Sequence, residues 1–168
     1  MRNGPLQIAL LLVIALAGCR SGEKGASNAS PAPAATGSEV QTATLTGLYE
    51  GGEAPRRNQM CMIEREGRDT SFGFVTWGPG DKNCSGSGTA TREGNVLRLR
   101  LDGEESCTLD ARIDGRKVTL PASMPPQCQS YYCGDGAQLS GAAFDKVGGG
   151  QPDALRALDL GGDPLCGG

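Results

Sequence analysis

The sequence predicts a mostly β domain: a single antiparallel meander of about eight short strands that closes into a small barrel, is held by disulfides and ends in a short C-terminal helix. From Leu45 onward, short runs of alternating apolar and polar residues are separated by turn residues, above all glycine. The same region contains all but one of the 7 cysteines. With one Trp, three Tyr and three Phe the core is thin, so disulfides worth about 2–4 kcal/mol each matter most. A β-sandwich is the alternative, because strand counting does not separate the two architectures.

The hydrophobic N-terminus has the pattern of a signal peptide. Arg2 gives it a positive start. The apolar run 6–17 would span roughly 18 Å as a helix, too short for a hydrocarbon core of about 30 Å. The run ends at residues 16–19 in Leu-Ala-Gly-Cys, which resembles the lipobox of bacterial lipoproteins. We therefore predict a lipoprotein signal peptide over residues 1–18.

The lipobox resemblance implies that Cys19 is the first mature residue and carries diacylglycerol on its sulfur, with a further acyl chain such as palmitate on its amine. Several long chains anchor a protein stably, at about 0.8 kcal/mol for each buried methylene. Arg20 stands where many inner-membrane lipoproteins have an aspartate, so the resemblance favours an outer-membrane anchor that faces the periplasm. The alternatives are an ordinary secretory signal with a coincidental cysteine, or a retained signal-anchor helix.

Residues 19–44 have the composition of a linker. They consist mostly of Ser, Ala, Pro, Thr and Gly, and no large apolar residue occurs before Val40. Such a segment cannot bury enough apolar surface to offset the entropy of ordering it, so we predict a disordered tether with a mean span of roughly 25–30 Å. The folded domain is predicted over residues 45–168.

The first half of that domain contains four predicted strands, at 44–50, 59–65, 71–77 and 85–92. Residues 78–81, Gly-Pro-Gly-Asp, cannot continue the third strand and are predicted to form a loop. The fourth strand is small and polar, with Gly86, Gly88 and Ala90 on one face. We expect a close backbone approach or tight curvature at this strand.

The second half contains four more predicted strands, at 96–101, 106–113, 116–120 and 137–144. The leucines of the first of them alternate with arginines, and Asp114-Gly115 is a strong two-residue hairpin signal. Residues 121–137 are predicted to form a long disulfide-bonded loop. Residues 152–160 have helix character, with a proline early and glycines after the end. The expected core consists of the leucines with Ile63, Phe72, Phe74, Val75, Trp77 and Phe144.

Setting Cys19 aside leaves an even number of cysteines: Cys61, Cys84, Cys107, Cys128, Cys133 and Cys166. An exported chain meets an oxidising compartment, so we predict three disulfides. Cys128 and Cys133 are close enough for a local bridge, but either could reach a more distant partner. A disulfide at Cys166 would dock the short helix against the sheet. Zinc binding is the rival use of these cysteines, but with no histidine and no Cys-x-x-Cys pair we expect neither a metal nor a cofactor.

The composition also narrows the range of partners and catalytic activities that we expect. A net charge of -3 with scattered cations predicts no nucleic-acid partner. The absence of histidine from the sequence excludes a Ser-His-Asp or Cys-His arrangement, and a Ser-Lys pair is conceivable only at Lys82 and Ser85. Two acidic pairs remain, both expected to be exposed: Glu64/Glu66 and Glu104/Glu105. We therefore predict that the protein is not an enzyme.

Two adjacent tyrosines, Tyr131 and Tyr132, lie between the cysteines of the predicted long loop. A rigid loop that presents tyrosine is a good anchor for a partner, because tyrosine is enriched at binding hot spots. The alternative is that one ring covers the open end of the sheet while the other is partly exposed. We take the pair as candidate partner-binding residues.

The anchor, the Gly-Leu-Tyr-Glu opening at 47–50 and the Tyr-Tyr-Cys-Gly run at 131–134 together resemble the small uncharacterised envelope lipoproteins of Gram-negative bacteria. Periplasmic lysozyme inhibitors are similar in style, as lipid-anchored, disulfide-bonded β-barrels whose inhibitory loops carry a Ser-Gly motif and a Tyr-Lys-Gly motif. Ser85-Gly86 matches two residues of the first motif, and the second does not occur in the chain.

Three hypotheses for function follow. The leading one is a non-enzymatic envelope lipoprotein that binds a protein or cell-wall partner, or acts structurally. The second is a lipocalin-like carrier, which requires a closed barrel with an unfilled apolar cavity. The third is a protein that acts like a periplasmic lysozyme inhibitor.

Overall fold

The computed structural model describes residues 43–103 and 107–167. The predicted signal peptide 1–18, the lipidated Cys19, almost all of the linker 19–44 and the Glu104/Glu105 pair lie outside the described residues. The described chain forms eight strands and two short helices: β1 Gly47–Gly51, β2 Asn58–Ile63, β3 Thr70–Trp77, β4 Asn83–Glu93, β5 Val96–Leu101, β6 Thr108–Asp114, β7 Lys117–Thr119, α1 Pro126–Tyr132, β8 Ala143–Gly149 and α2 Gln151–Ala154.

The strands form a closed antiparallel barrel in sequence order. Each strand pairs with its neighbours in the chain, and β1 closes the barrel against β8, from Gly47 opposite Gly149 to Glu50 opposite Asp145. A register shift between Leu48 and Tyr49 interrupts this closing pair. Closure removes the unpaired edges that an open sheet would expose. The predicted barrel is confirmed, and the sandwich alternative does not apply.

The interior of the barrel is filled by side chains. Alternate residues of the strands point inward, and an eight-stranded barrel is just wide enough for its own side chains. The buried interior side chains are Tyr49, Met60, Met62, Phe72, Phe74, Ala90, Leu97, Leu99, Leu101, Leu109, Ala111, Ile113, Val118 and Phe144. Tyr49 is therefore a core residue that the sequence prediction omitted, and its hydroxyl donates a hydrogen bond to the carbonyl of Leu45 at 2.7 Å.

The connections divide the barrel into two different ends. At one end, here called the loop end, lie the segments 52–57, 78–82 and 120–142, together with the described residues 102, 103 and 107 between β5 and β6. At the other end, the turn end, residues 64–69 join β2 to β3, and two-residue turns join β4 to β5 and β6 to β7. Residues 43–46 enter the barrel at the turn end, immediately before β1. The two ends therefore differ: the long segment 120–142 lies at the loop end, and two tight turns and the N-terminal entry lie at the turn end.

Residues 150–167, the C-terminal segment, pack on the outer face of the barrel. The Cys61–Cys166 disulfide joins this segment to β2, as the predicted docking of the helix required. A second apolar cluster forms beneath it, separate from the interior: Leu48, Cys61, Ile63, Ala154, Ala157 and Cys166. Gly73 of β3 lets the C-terminal segment pass close to this strand, since a Cβ there would lie 2.8 Å from the carbonyl oxygen of Leu165.

The predicted C-terminal helix is shorter than expected, with α2 covering Gln151–Ala154 in place of 152–160. Beyond it, the backbone of Leu158 donates to the side chain of Gln59 at 3.2 Å and forms a bridge with Pro164. These contacts with the barrel and with the returning chain replace further helical bonds. Tertiary contacts therefore override the local helix propensity.

Two other predictions near the C-terminus were wrong. The last strand covers Ala143–Gly149 and not 137–144, because glycines let it continue where side chains would not fit: a Cβ at Gly148 would lie 2.7 Å from Asp153. The predicted loop 121–137 contains α1, which begins with a proline in its first turn, a favoured position.

One prediction for β3 was wrong, and one for β4 was right. Trp77, expected in the core, lies on the outer face at the end of β3 and is only partly buried, because the inward positions of this strand are those of Phe72 and Phe74. The close approach predicted at β4 is confirmed. A Cβ at Gly86 would lie 2.9 Å from the ring of Tyr132, and one at Gly88 would lie 2.0 Å from the Arg100 carbonyl oxygen.

Candidate binding surface

Helix α1 lies at the loop end and is held at both of its ends by disulfides. Cys128, in the helix, bonds to Cys107 just before β6, and Cys133, which caps the helix, bonds to Cys84 at the start of β4. With Cys61–Cys166, all six predicted disulfide cysteines are paired. The local Cys128–Cys133 bridge, which the sequence left open, does not form. Because two distant strands hold the same short helix, its position relative to the barrel is fixed.

Tyr132 closes the loop end of the barrel. Its side chain is buried in the core cluster and packs on Gly86, where β4 has no side chain. The hydroxyl donates a hydrogen bond to the backbone carbonyl of Asp102 at 2.5 Å. The ring therefore provides apolar cover while its polar atom reaches the loop that follows β5.

Tyr131, in contrast, is 58% exposed. Its ring meets the Tyr132 ring edge to face, with centroids 4.7 Å apart and planes 65° apart. Gly103, at φ 96°, lies beneath the Tyr131 hydroxyl, and a Cβ on that glycine would come within 2.8 Å of it. The structure thus has the alternative arrangement named in the sequence analysis: the Tyr132 ring covers the open end, and the Tyr131 ring is partly exposed and packs against its neighbour.

A groove of about 490 Å³ lies alongside α1, between the helix and the turn that follows it. Gln129 fixes the wall of this groove: its amide nitrogen donates to the Ala137 carbonyl at 2.6 Å, and its amide oxygen accepts from the Leu139 backbone at 3.3 Å. Most of the lining is polar or backbone, from Met124, Pro126, Gln129, Ser130, Cys133, Gly134, Asp135, Gly136, Ala137, Gln138 and Ser140. The groove offers hydrogen-bonding groups together with apolar surface from Met124, Pro126 and Ala137.

The turn end is organised around Glu64, which holds the entering N-terminal segment. Its carboxylate accepts hydrogen bonds from the Thr44 hydroxyl, from the Leu45 backbone at 2.9 Å and from the Thr46 backbone at 3.3 Å. Partial burial raises the pKa of Glu64, but these hydrogen bonds outweigh it and the pKa lies below its usual value. The predicted strand 59–65 included Glu64. Because β2 ends at Ile63, Glu64 instead lies in the turn that follows this strand.

Two further titratable groups at the turn end are perturbed. Burial, with a smaller contribution from Glu64, raises the pKa of Tyr49 to about 12. Burial also lowers the pKa of Lys146, whose ammonium group donates to the Thr44 carbonyl at 2.7 Å and lies 5.7 Å from the centre of the Tyr49 ring. Perturbed groups can mark active sites. Here Glu64 Oε2, the Lys146 ammonium group and the Tyr49 hydroxyl all form hydrogen bonds with residues 44–46, so the three groups hold the N-terminal segment.

No hydrogen bond joins Lys82 to Ser85, the other catalytic candidates within the described chain. Lys82 lies exposed in the β3–β4 loop against Gly136, whereas Ser85 lies within β4. Within the ranges 43–103 and 107–167, no three acidic or cysteine side chains are close enough to hold a metal ion. None of the helices described there is long and apolar enough to span a membrane.

Comparisons of the chain with protein-family models, with curated proteins and with solved structures found no match. The Ser85-Gly86 pair, compared above with an inhibitory-loop motif, lies inside β4, where Gly86 packs under Tyr132.

The sequence did not predict the contacts of Glu64 and of Trp77. A carboxylate one residue beyond an apolar strand, and a lone Trp next to Gly-Pro-Gly, were the available signals.

Proposed function

We propose that this chain is a lipid-anchored, non-enzymatic protein of the cell envelope whose barrel presents its loop end to a protein or cell-wall partner. The exposure of Tyr131 on a helix held at both ends carries this proposal. An anchor residue that is already ordered loses little entropy on binding, which favours affinity. Tyr131 is also the most exposed of the large apolar side chains in the described chain.

The proposed cellular location is inferred from the N-terminal sequence. The Leu-Ala-Gly-Cys run at 16–19 favours lipidation at Cys19, and Arg20 favours the outer membrane with the domain facing the periplasm. The linker joins the domain at the turn end, where residues 43–46 enter. Tyr131 lies at the opposite end of the barrel from residues 43–46.

The two other hypotheses gain no support from the geometry. A lipocalin-like carrier needs room inside the barrel, whereas the described interior is occupied by packed side chains. A lysozyme-inhibitor-like mechanism needs its Ser-Gly motif in a projecting loop, whereas Ser85-Gly86 lies within a paired strand. The binding surface at the loop end is therefore the function we retain.

The test compares Tyr131→Ala with Val147→Ala, a matched control that removes a side chain 51% exposed on β8. The purified full-length proteins are crosslinked in envelope extracts and are also sedimented with isolated cell-wall sacculi. We expect wild type and the control to retain the same partner, while the Tyr131 variant loses about tenfold or more, as for a hot-spot residue. Equal retention by all three proteins, or no partner for any of them, would contradict the proposal.

A further inference from the structure

A second groove at the loop end lies away from α1, between the loop joining β1 to β2 and the loop joining β3 to β4. It has a volume of about 480 Å³. Its lining contains an indole, a guanidinium, two carboxylates and an amide among small residues: Gly52, Glu53, Pro55, Arg56, Asn58, Trp77, Gly78, Gly80 and Asp81. This combination of one aromatic surface with several polar groups is typical of ligand sites.

Arg56 makes three contacts that restrict its side chain. Its guanidinium carbon lies 5.0 Å from the centre of the Trp77 ring, a cation–π contact. Its Nη1 atom donates to Asp81 Oδ1 at 2.5 Å and to the Gly80 carbonyl at 3.3 Å. An arginine side chain is normally flexible, so these contacts remove much of the entropy that it would lose on binding a ligand.

The same contacts leave one edge of the guanidinium available. Both hydrogen bonds of Arg56 use Nη1, and no described residue accepts from Nε or Nη2. The pair of N–H groups on these two atoms matches the two oxygens of a carboxylate. Glu53, in the same groove, is exposed and makes no hydrogen bond within the described residues. The groove thus contains a free donor fork and a free acceptor.

Trp77 is the only tryptophan of the chain and contributes nothing to the barrel interior. Its backbone N–H donates to Asn58 Oδ1 at 2.8 Å, which fixes the end of β3 where the ring projects. An indole beside polar side chains offers a surface to the C–H face of a pyranose ring, while carboxylates accept hydrogen bonds from sugar hydroxyls. The two carboxylates, Glu53 and Asp81, oppose a dianionic phosphate more strongly than a monoanionic carboxylate.

We propose that this groove binds an acidic saccharide, a pyranose that carries a carboxylate. Nε and Nη2 of Arg56 bind the carboxylate, the exposed part of the Trp77 ring contacts the sugar, and Glu53 accepts from a hydroxyl. The site is separate from Tyr131. The choice of probe rests on the proposed envelope location, because cell-wall glycans contain muramic acid, an amino sugar whose lactyl carboxylate is free where no peptide is attached to it.

The experiment uses the fluorescence of the single tryptophan, which reports on this groove. The purified protein is titrated with the disaccharide N-acetylglucosaminyl-N-acetylmuramic acid and, separately, with its methyl ester, which lacks the negative charge. We expect saturable quenching or a spectral shift with the acid at millimolar concentrations, and binding about tenfold weaker or more for the ester.

Variants then locate the site by calorimetry. Arg56→Lys keeps the charge but not the fork, so we expect about a tenfold loss of affinity, and Trp77→Ala is expected to lose binding. Arg98→Lys is the matched control, since Arg98 also pairs with an aspartate, Asp110 at 3.0 Å, but on the barrel wall. Its affinity should equal that of wild type.

Absence of binding, equal binding of acid and ester, or undiminished binding by Arg56→Lys would each overturn the proposal. So would tighter binding of a peptide with a free C-terminal carboxylate, since that would assign the fork to a different class of ligand. None of these results depends on Tyr131, so the failure of this proposal and the failure of the proposed partner surface are distinguishable.

Discussion

At the scale of single residues, Glu64 determines how the chain enters the barrel. Three consecutive residues, Thr44 to Thr46, donate hydrogen bonds to its carboxylate, and Lys146 donates to the carbonyl of the first. Hydrogen bonds to a charged group are stronger than neutral ones, although exposure to solvent reduces their net contribution. The carboxylate thus fixes the segment that a tether would pull on.

We predict that Glu64→Ala lowers the free energy of unfolding by about 1 kcal/mol, because it removes these hydrogen bonds. The measurement is urea denaturation at neutral pH. Glu66→Ala, an exposed carboxylate two residues further along the same turn, is the control and should change stability little. A loss of equal size in both variants would show that the effect is general charge removal and not the N-terminal contact.

The same carboxylate predicts a dependence on pH. The pKa of Glu64 is lower in the folded protein than its usual value, so its contribution is fully present above the unfolded pKa of about 4.3 and is lost as pH falls through the folded pKa. The stability difference between wild type and Glu64→Ala should therefore shrink when the pH is lowered below about 4. A difference that stays constant or grows at low pH would contradict this assignment.

At the scale of elements, the disulfides connect the barrel to two short segments that would not be stable by themselves. Helix α1 has 7 residues and α2 has 4, both too short to be stable alone. The Cys61–Cys166 bond closes a separation of 105 residues, and the apolar cluster beneath the C-terminal segment is small. We therefore expect covalent attachment to help keep each helix at its place on the barrel.

We predict that the double variant Cys61→Ala/Cys166→Ala loses about 3–5 kcal/mol of stability and releases the C-terminal segment. Limited proteolysis followed by mass spectrometry should show cleavage after residue 150 before any cleavage in the barrel. The control pair, Cys107→Ala/Cys128→Ala, should be destabilised but should keep that segment protected, because the lost bond lies at the loop end. Equal protection of the segment in both double variants would show that packing alone holds it.

At the scale of the whole molecule, the two ends of the barrel carry different features. The N-terminal segment enters at the turn end, whereas Tyr131 and both grooves lie at the loop end. Residues 43–46 and the proposed binding surfaces therefore lie at opposite ends of the barrel.

We predict that Cys19→Ser moves the protein from the membrane fraction to the soluble fraction, because it removes the proposed site of lipidation. Thiol titration under denaturing conditions should find no free cysteine, since the other six are paired. Ser21→Ala leaves the lipobox intact and should stay with the membrane. Retention of the Cys19 variant in the membrane would refute the anchor, and new free thiols would show that Cys19 belongs to the fold.

The sequence alone was enough to predict the class of fold and the use of the cysteines. Strand alternation is a local property with a period of two residues, so it can be read wherever a strand has one buried face, as at Val96–Leu101. The even number of cysteines beyond Cys19 predicted three disulfides. The glycines of β4 correctly indicated close packing, because the absence of a side chain is itself local information.

Only the tertiary structure decided which residues meet. Disulfide partners, the inward position of Tyr49 and the outward position of Trp77 depend on barrel closure and on register, and a shift by one residue exchanges the two faces of a strand. The contacts of Glu64 and Arg56 join segments far apart in the chain, so no local pattern reveals them. The sequence therefore determined most of the strands, whereas tertiary contacts decided the helices, the bounds of the last strand and the side chains that meet at the loop end.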